Sequence, residues 1–209
     1  MNIERLETPR LIGERLSAIH RPHILGMFQN KTVCATLGGV LSAEMVDRTM
    51  VTNQDHWRRH GFGIWVFQLS ESGAFVGRAG LRRVQLEGCD EVELAYTIMP
   101  EFWNKGFATE MGQAALRVGF EELGLKDVQC FTLTTNFASQ RVMVKLGFQF
   151  ERTGDHAHLP HVFFRLTAEE YRARDRCSAP SVIRAANVSL PSPPLGRGAG
   201  GEGQATFDP

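Results

Sequence analysis

The sequence predicts a mixed α/β domain, on three observations. Short runs rich in Val, Phe, Leu and Ile alternate with stretches of 3.6-residue apolar periodicity, so strands and helices must share one core. Two of the runs, "GFGIWVFQLS" (61–70) and "AFVGRAGLRRV" (74–84), flank a Ser-Gly-containing turn and read as a hairpin. Twice, at residues 99–107 and 134–137, a strand-like run passes through a turn straight into a helical pattern.

The elements follow in order. "RLIGERL" (10–16) reads as a strand, with Leu11 and Ile12 beside charged neighbours. Residues 17–30 and 42–60 read as helices, the second carrying Met45, Val46, Met50 and Trp57. After the hairpin, "EVELAYTIM" (91–99) is a strand that Pro100 ends, because proline supplies no ladder N–H. A helix follows over 106–123, with Phe107, Met111, Ala114, Ala115 and Val118 at helical spacing and Gly124 as its stop. "DVQCFTLTT" (127–135) reads as a buried strand, and Asn136 caps a short helix bearing Ala138, Val142 and Leu146, stopped by Gly147. "FQFE" (148–151) and "HVFFRL" (161–166) complete seven strands in the order β-α-α-β-β-β-α-β-α-β-β, without internal repeat.

Composition narrows the function. Basic and acidic residues balance at 23 each, which argues against a nucleic-acid clamp or a polybasic membrane anchor as the main activity. No run reaches the roughly 20 apolar residues of a membrane span, and the N-terminus lacks the apolar core of a secretory signal. Cys34, Cys89, Cys130 and Cys177 match no zinc framework or disulfide pattern, so reduced thiols and a cytoplasmic location are expected. From residue 177 the composition turns to Pro, Gly and Ser; a folded domain over 1–176 and a disordered tail over 177–209 are expected. Gly196, Gly198 and Gly201 spell GxGxxG inside that tail, but no strand precedes them and no helix follows, so dinucleotide binding is set aside. The Asn30 and Asn187 sequons carry no weight without a secretory route.

"EFWNKGFATE" (101–110) is the informative stretch. A strand, a turn of small residues and a helix start make an anion site: the first helical N–H groups lack partners, and the macrodipole adds about half a positive charge. Gly106 and Ala108 leave room for phosphates against the backbone, and Lys105 and Thr109 add donors. No Walker GxxxxGK[ST] pattern is present, so a mononucleotide P-loop is not supported. The second junction, "TTNFASQRVMVKLGF" (134–148), adds Asn136, Ser139 and Arg141 at the next helix start.

With these pieces the sequence resembles the GNAT superfamily of acyl-CoA-dependent N-acetyltransferases, and within it the RimJ/RimL branch of ribosomal-protein N-terminal acetyltransferases. The resemblance rests on "ETPRLIGERL", "ELAYTIMPEFWNKGFATE", "AALRVGFEELGLKDVQCFTLTTNFASQRVMVKLGF" and "HVFFRLTAEEY", in family order over about residues 5–172. It implies a mixed, mostly antiparallel seven-stranded sheet flanked by helices, whose fourth and fifth strands splay to admit the pantetheine arm of acetyl-CoA. The backbone of Ile98 and Met99 would meet that arm as an added strand does. Trp103, Asn104, Lys105, Gly106, Phe107, Ala108 and Thr109 would form the pyrophosphate loop, and the Asn136 amide would bond the pantetheine.

The implied reaction is direct attack by an amine on the thioester, with no metal. It needs a deprotonated amine, a donor to the carbonyl oxygen and a proton for the departing thiolate. Glu93 is the candidate base, directly or through water, with Glu91 on the same strand face as fallback and a salt bridge as the plain structural alternative. A backbone N–H near Ile98 would face the oxyanion. Many relatives supply the acid from a tyrosine in the helix after the fifth strand; here Met143 stands there, and Ser139 is the replacement candidate, unless the thiolate leaves unaided. His156, His158 and His161, with the first two on one strand face, lack a completing ligand set for a metal, and His56 and His60 lie one helical turn apart near the expected acceptor pocket.

The favoured acceptor is a protein or peptide N-terminal amine. A small amine (polyamine, aminoglycoside or amino acid) is the second reading, and a non-catalytic acyl-CoA-binding module the third. A homodimer stays open.

Overall fold

A computed structural model describes residues 3–178. The GxGxxG glycines, the Asn187 sequon and all of the expected tail beyond Ser178 lie outside the described residues.

Among the described residues, eight strands form one sheet: β1 (Arg5–Glu7), β2 (Leu11–Arg15), β3 (Ile64–Leu69), β4 (Phe75–Leu86), β5 (Cys89–Ile98), β6 (Asp127–Leu133), β7 (Gln149–His156) and β8 (Leu159–Thr167). Their spatial order is β1-β2-β3-β4-β5-β6-β8-β7, with every neighbouring pair antiparallel except β5–β6. The strand beyond the expected seven is β1, three residues with one buried side chain, Leu6. So short a run shows no period-two pattern, and its partner β2 rather than its composition makes it a strand.

Among the described residues, six helices accompany the sheet: α1 (Arg21–Gln29), α2 (Lys31–Cys34), α3 (Ala43–His60), α4 (Phe107–Arg117), α5 (Phe137–Leu146) and α6 (Ala168–Ser178). The single helix expected over 17–30 is a 3-10 turn running into α1, with Pro22 in the first turn of that helix. Ser42 and Gly61 bound α3 as N-cap and left-handed C-cap. The helix expected to 123 passes at Val118–Glu122 into a π-helical turn.

The sheet separates two apolar layers. Met111, Ala115, Met143 and Leu146 of α4 and α5 pack on Trp65, Phe67, Leu81, Leu94 and Val128. Ile24, Met27, Phe28, Val46 and Met50 of α1 and α3 pack on Ile64 and Val66 from the other side, reaching Ala95 and Met99. Side chains alternate along β5, so Leu94, Tyr96 and Ile98 face α4 and α5 while Glu91, Glu93, Ala95 and Thr97 face the α1–α3 side.

Candidate active site

The site begins where the sheet comes apart. β5 and β6 pair in parallel at one register position, Glu93 with Gln129. Beyond it the strands diverge, and side chains rather than backbone cross the gap. The Cys130 thiol donates to the Leu94 carbonyl (3.2 Å), and the Tyr96 phenol donates to the Ser139 carbonyl (3.1 Å) and meets Ser139 Oγ at 2.8 Å. The backbone of β5 alternates in what it offers. Met99 N–H donates to the Val76 carbonyl of β4 (2.9 Å), so this group is spent within the sheet. By the alternation of an antiparallel ladder, the amide of Ile98 points the other way, into the gap. The Ile98 carbonyl accepts the indole N–H of Trp103 (2.8 Å), which ties the following loop to the strand.

That loop turns on two left-handed residues, Asn104 (φ 60°) and Gly106 (φ 82°). They bring α4 in with Gly106 as its N-cap, and no side chain caps the helix start. The N–H groups at this end therefore face outward with the positive end of the dipole. The Phe107 side chain is not a ligand group: it is buried, edge-on to Phe102 at 5.8 Å. Lys105 Nζ lies 5.6 Å from the Phe102 ring centroid. Arg10 clamps the loop from β2's approach, donating to the Lys105 carbonyl (2.9 Å) and to Glu110 (2.7 Å) and lying 4.2 Å over the Phe107 ring. Burial opposes the charge on Glu110, but donors from Thr8 and Arg10 outweigh it and hold the carboxyl below its usual range.

On the far side, Asn136 caps α5: its Oδ1 accepts Ser139 N–H (3.2 Å) and its amide donates to Thr132 Oγ1 (3.0 Å). One amide N–H remains for a ligand. Met143, at the position where relatives carry tyrosine, is fully buried in the α4–α5 layer. Burial, above all, pushes the Tyr96 phenol well above its ordinary range, with the neighbouring Cys130 adding to the rise and the Ser139 hydrogen bond opposing it. Tyr96 therefore keeps its proton. It is the functional candidate the sequence reading missed. Its signal was there: in "ELAYTIM" it is the one hydroxyl among the apolar residues of the gap-facing strand face.

The carboxylates on the opposite face are engaged. Glu93 is buried and ion-paired with Arg82, directly across β4–β5. Glu91 accepts both terminal nitrogens of Arg165 (3.1 and 3.0 Å), which also binds Glu151 and Asp127. The histidines are placed as follows. His56 accepts Arg83 N–H at Nε2 (2.9 Å) and lies 2.8 Å from the Phe62 carbonyl at Nδ1, so neither nitrogen is spare, and the His60 ring lies tilted against it at 4.6 Å between centroids. His156 and His158 do not share a strand face: β7 ends at His156, and Ala157 and His158 both adopt positive φ in the hairpin turn. Among the described residues, no group of three His, Cys, Asp or Glu side chains is placed to hold a metal ion, and no helix is long and apolar enough to cross a membrane.

A family model described as an acetyltransferase (GNAT) domain matches residues 10–149. The chain belongs to the GNAT acetyltransferase family. A Bacillus subtilis (strain 168) protein named uncharacterized N-acetyltransferase YoaA is 28% identical to it over 150 residues, 70% of this chain and 83% of that one. The crystal structure of an acetyltransferase from Agrobacterium tumefaciens strain C58 has a TM-score of 0.70 at 20% identity, covering 79% of this chain and 95% of its own. RimL, titled a ribosomal L7/L12 alpha-N-protein acetyltransferase in complex with coenzyme A, has a TM-score of 0.66 at 14% identity, covering 78% and 98%. At such identities the two solved structures show the fold. This GNAT protein is an acetyl-CoA-dependent acetyltransferase, and its geometry fits the co-substrate. The uncapped start of α4 suits the diphosphate, and the parting of β5 from β6 leaves the inward Ile98 amide free for an extended arm.

Proposed function

We propose that the chain acetylates the N-terminal amine of a protein or peptide by direct attack on the thioester of acetyl-CoA, in the manner of the RimJ/RimL branch it resembles. The observation that carries this reading is the state of the carboxylates. Glu93, the candidate base, is held by Arg82, and Glu91 by Arg165. A carboxylate whose oxygens are committed to a guanidinium has fewer lone pairs to offer an incoming amine. An acceptor that needs little help fits such a site: an α-amine titrates near about 8, a lysine amine near about 10.4. Two arginines, Arg78 and Arg82, share this face of β4 and disfavour polycations such as polyamines and aminoglycosides.

Acetyl-CoA supplies an acyl group already activated as a thioester. The loop from Trp103 to Thr109 and the start of α4 hold its diphosphate; Ile98 and the free amide N–H of Asn136 hold its arm. The Ile98 N–H, facing the gap, stabilises the carbonyl oxygen as negative charge develops there. As the amine nitrogen bonds to the carbonyl carbon, its surplus proton leaves through water ordered by Glu93. The carbon–sulfur bond breaks, the sulfur takes a proton from the hydroxyl pair of Ser139 and Tyr96, and the pair regains one from solvent as the thiol departs. Tyr96 holds its proton at neutral pH for the reason already given, and Ser139 sits at the helix start beside the gap.

A free-thiol release assay tests the reading. Acetyl-CoA is offered with peptides beginning Ser, Ala, Met or Thr, and in parallel with polyamines and free amino acids. Peptide-dependent release that falls in Glu93→Gln, Ser139→Ala and Tyr96→Phe supports it; release with small amines alone sinks the acceptor class.

A further inference from the structure

Among the described residues, no carboxylate is ion-paired with Arg78. It sits on β4 opposite Thr97 of β5 and Val66 of β3, on the face turned toward α1, and is 9% exposed. Its guanidinium lies 4.7 Å over the Phe28 ring. Its Nε and Nη1 are buried without a hydrogen-bond partner among the described residues. The carboxylate whose field it feels, Glu93, is committed to Arg82, whose own like charge opposes Arg78. Burial first, and then Arg82, push Arg78 down to about 9, low for an arginine yet still cationic at neutral pH. Counting Arg78, Arg82 and Glu93, this corner of the site carries one net positive charge.

A buried guanidinium with empty donors is costly, and the cost is removed by a ligand bringing the charge and the lone pairs. Its planar fork matches a carboxylate, which can accept from two nitrogens at once. The position is near the chemistry: Thr97, across from Arg78, lies in sequence between Tyr96 and Ile98, with the Arg78 and Thr97 side chains on the α1–α3 face of the strand and those of Tyr96 and Ile98 on the other. A group bound at Arg78 is thus held beside the strand segment where the attack occurs.

We propose that Arg78 is the carboxylate-binding group of the acceptor site, and that the preferred acceptor is an amine bearing a carboxylate a few bonds from the attacking nitrogen. This rests on the amine-acceptor reading above and narrows it. The carboxylate comes either from an acidic first residue of a peptide or from a free amino acid.

Matched acceptors decide. Peptides beginning Asp and Asn, identical elsewhere, are compared, and likewise alanine and alaninamide. In the wild type the charged member of the preferred pair has a kcat/KM at least tenfold above its neutral partner, mainly through KM. In Arg78→Gln the two members converge, while the Kd for acetyl-CoA is retained as proof of folding. Arg78→Lys keeps part of the preference, having the charge without the fork. In the absence of acceptor, Arg78→Met melts a few degrees higher than wild type, since it removes an unanswered buried charge. No charge preference in the wild type, or a loss in Arg78→Gln that is equal for both members, overturns the proposal. A lower melting temperature in Arg78→Met does the same, because it makes the arginine a structural strut. Peptide acetylation without charge preference leaves the N-terminal reading standing and this one fallen. Charge preference confined to free amino acids keeps Arg78 in its role and removes the peptide.

Discussion

The Tyr96 phenol oxygen lies 2.8 Å from Ser139 Oγ, joining β5 to the first turn of α5 across the gap where the sheet divides. The pair does two things at once. It braces the mouth of the gap, and in the proposed reaction it holds two hydroxyl protons for the departing thiolate. Burial keeps the phenol protonated beyond the range in which free tyrosine ionises.

Removing the phenol hydroxyl is therefore expected to lower kcat by about 100-fold, the low end of what a positioned acid contributes. Ser139→Ala should cost less, since Tyr96 can still bond the Ser139 carbonyl. The double variant should fall little below Tyr96→Phe, because the two hydroxyls act as one unit. Because the phenol is shifted upward, the kcat profile of Tyr96→Phe should keep the wild-type shape up to about pH 10 while dropping in height. A change in the alkaline limb below that pH would assign the limb to Tyr96 and contradict the shift.

The start of α4 makes a separate claim. Gly106 adopts φ 82°, which costs an L-residue roughly 1–2 kcal/mol. Gly106→Asp adds a negative charge at the helix end to that strain. Its Kd for coenzyme A should rise at least about tenfold, and by more at low ionic strength. Titration calorimetry at two salt concentrations checks it. Salt-independent weakening would point to strain alone.

How far the sequence foretold this site depends on what kind of signal each part leaves. The α4 start was legible because a left-handed turn into a helix calls for glycine, which is visible as a letter. Ser139 and Asn136 were legible as helix-start residues. Tyr96 was hidden: one hydroxyl on an apolar strand face gains meaning only once α5 is placed against it. The ion pairs of Glu91 and Glu93 were hidden for the same reason, since Arg82 and Arg165 reach them across neighbouring strands. Helix α6 was legible and passed over: Thr167 and Glu170 form a capping box, Glu170 accepting Thr167 N–H (2.9 Å) and donating its own N–H to Thr167 Oγ1 (3.3 Å). At His156–His158 the period-two rule failed because the turn took two residues from the strand.

His56 ties α3 to the β3–β4 hairpin and should make stability sensitive to acid. Burial is the main cause of its depressed pKa, below the ordinary 6.5. The unfolded chain thus binds the proton more readily than the folded one, so stability is fully present above about pH 6.5 and declines as pH falls toward the folded value. Protonation also ends acceptance of the Arg83 N–H at Nε2. The melting temperature should therefore drop between about pH 7 and pH 5. His56→Gln, which can bond both partners without titrating, should flatten that drop. His20, also depressed chiefly by burial, should leave a smaller residual slope.

Restoring the family's tyrosine is the sharpest test of where the acid resides. Met143 is fully buried in the layer between α4, α5 and the sheet, and its helix places Ser139, not Met143, at the gap. A tyrosine at 143 adds ring volume to a filled core, and its hydroxyl needs a partner where neighbours are apolar. Met143→Tyr should destabilise the protein by about 1–3 kcal/mol. In the Tyr96→Phe background it should not recover turnover. Recovery would mean that α5 shifts to present residue 143 to the gap when acetyl-CoA binds. In that event Tyr96 would be a brace for the mouth of the gap, and the proton would come from the helix as it does in many relatives. With the packing described here, the expected result is a less stable enzyme that stays as slow as Tyr96→Phe alone.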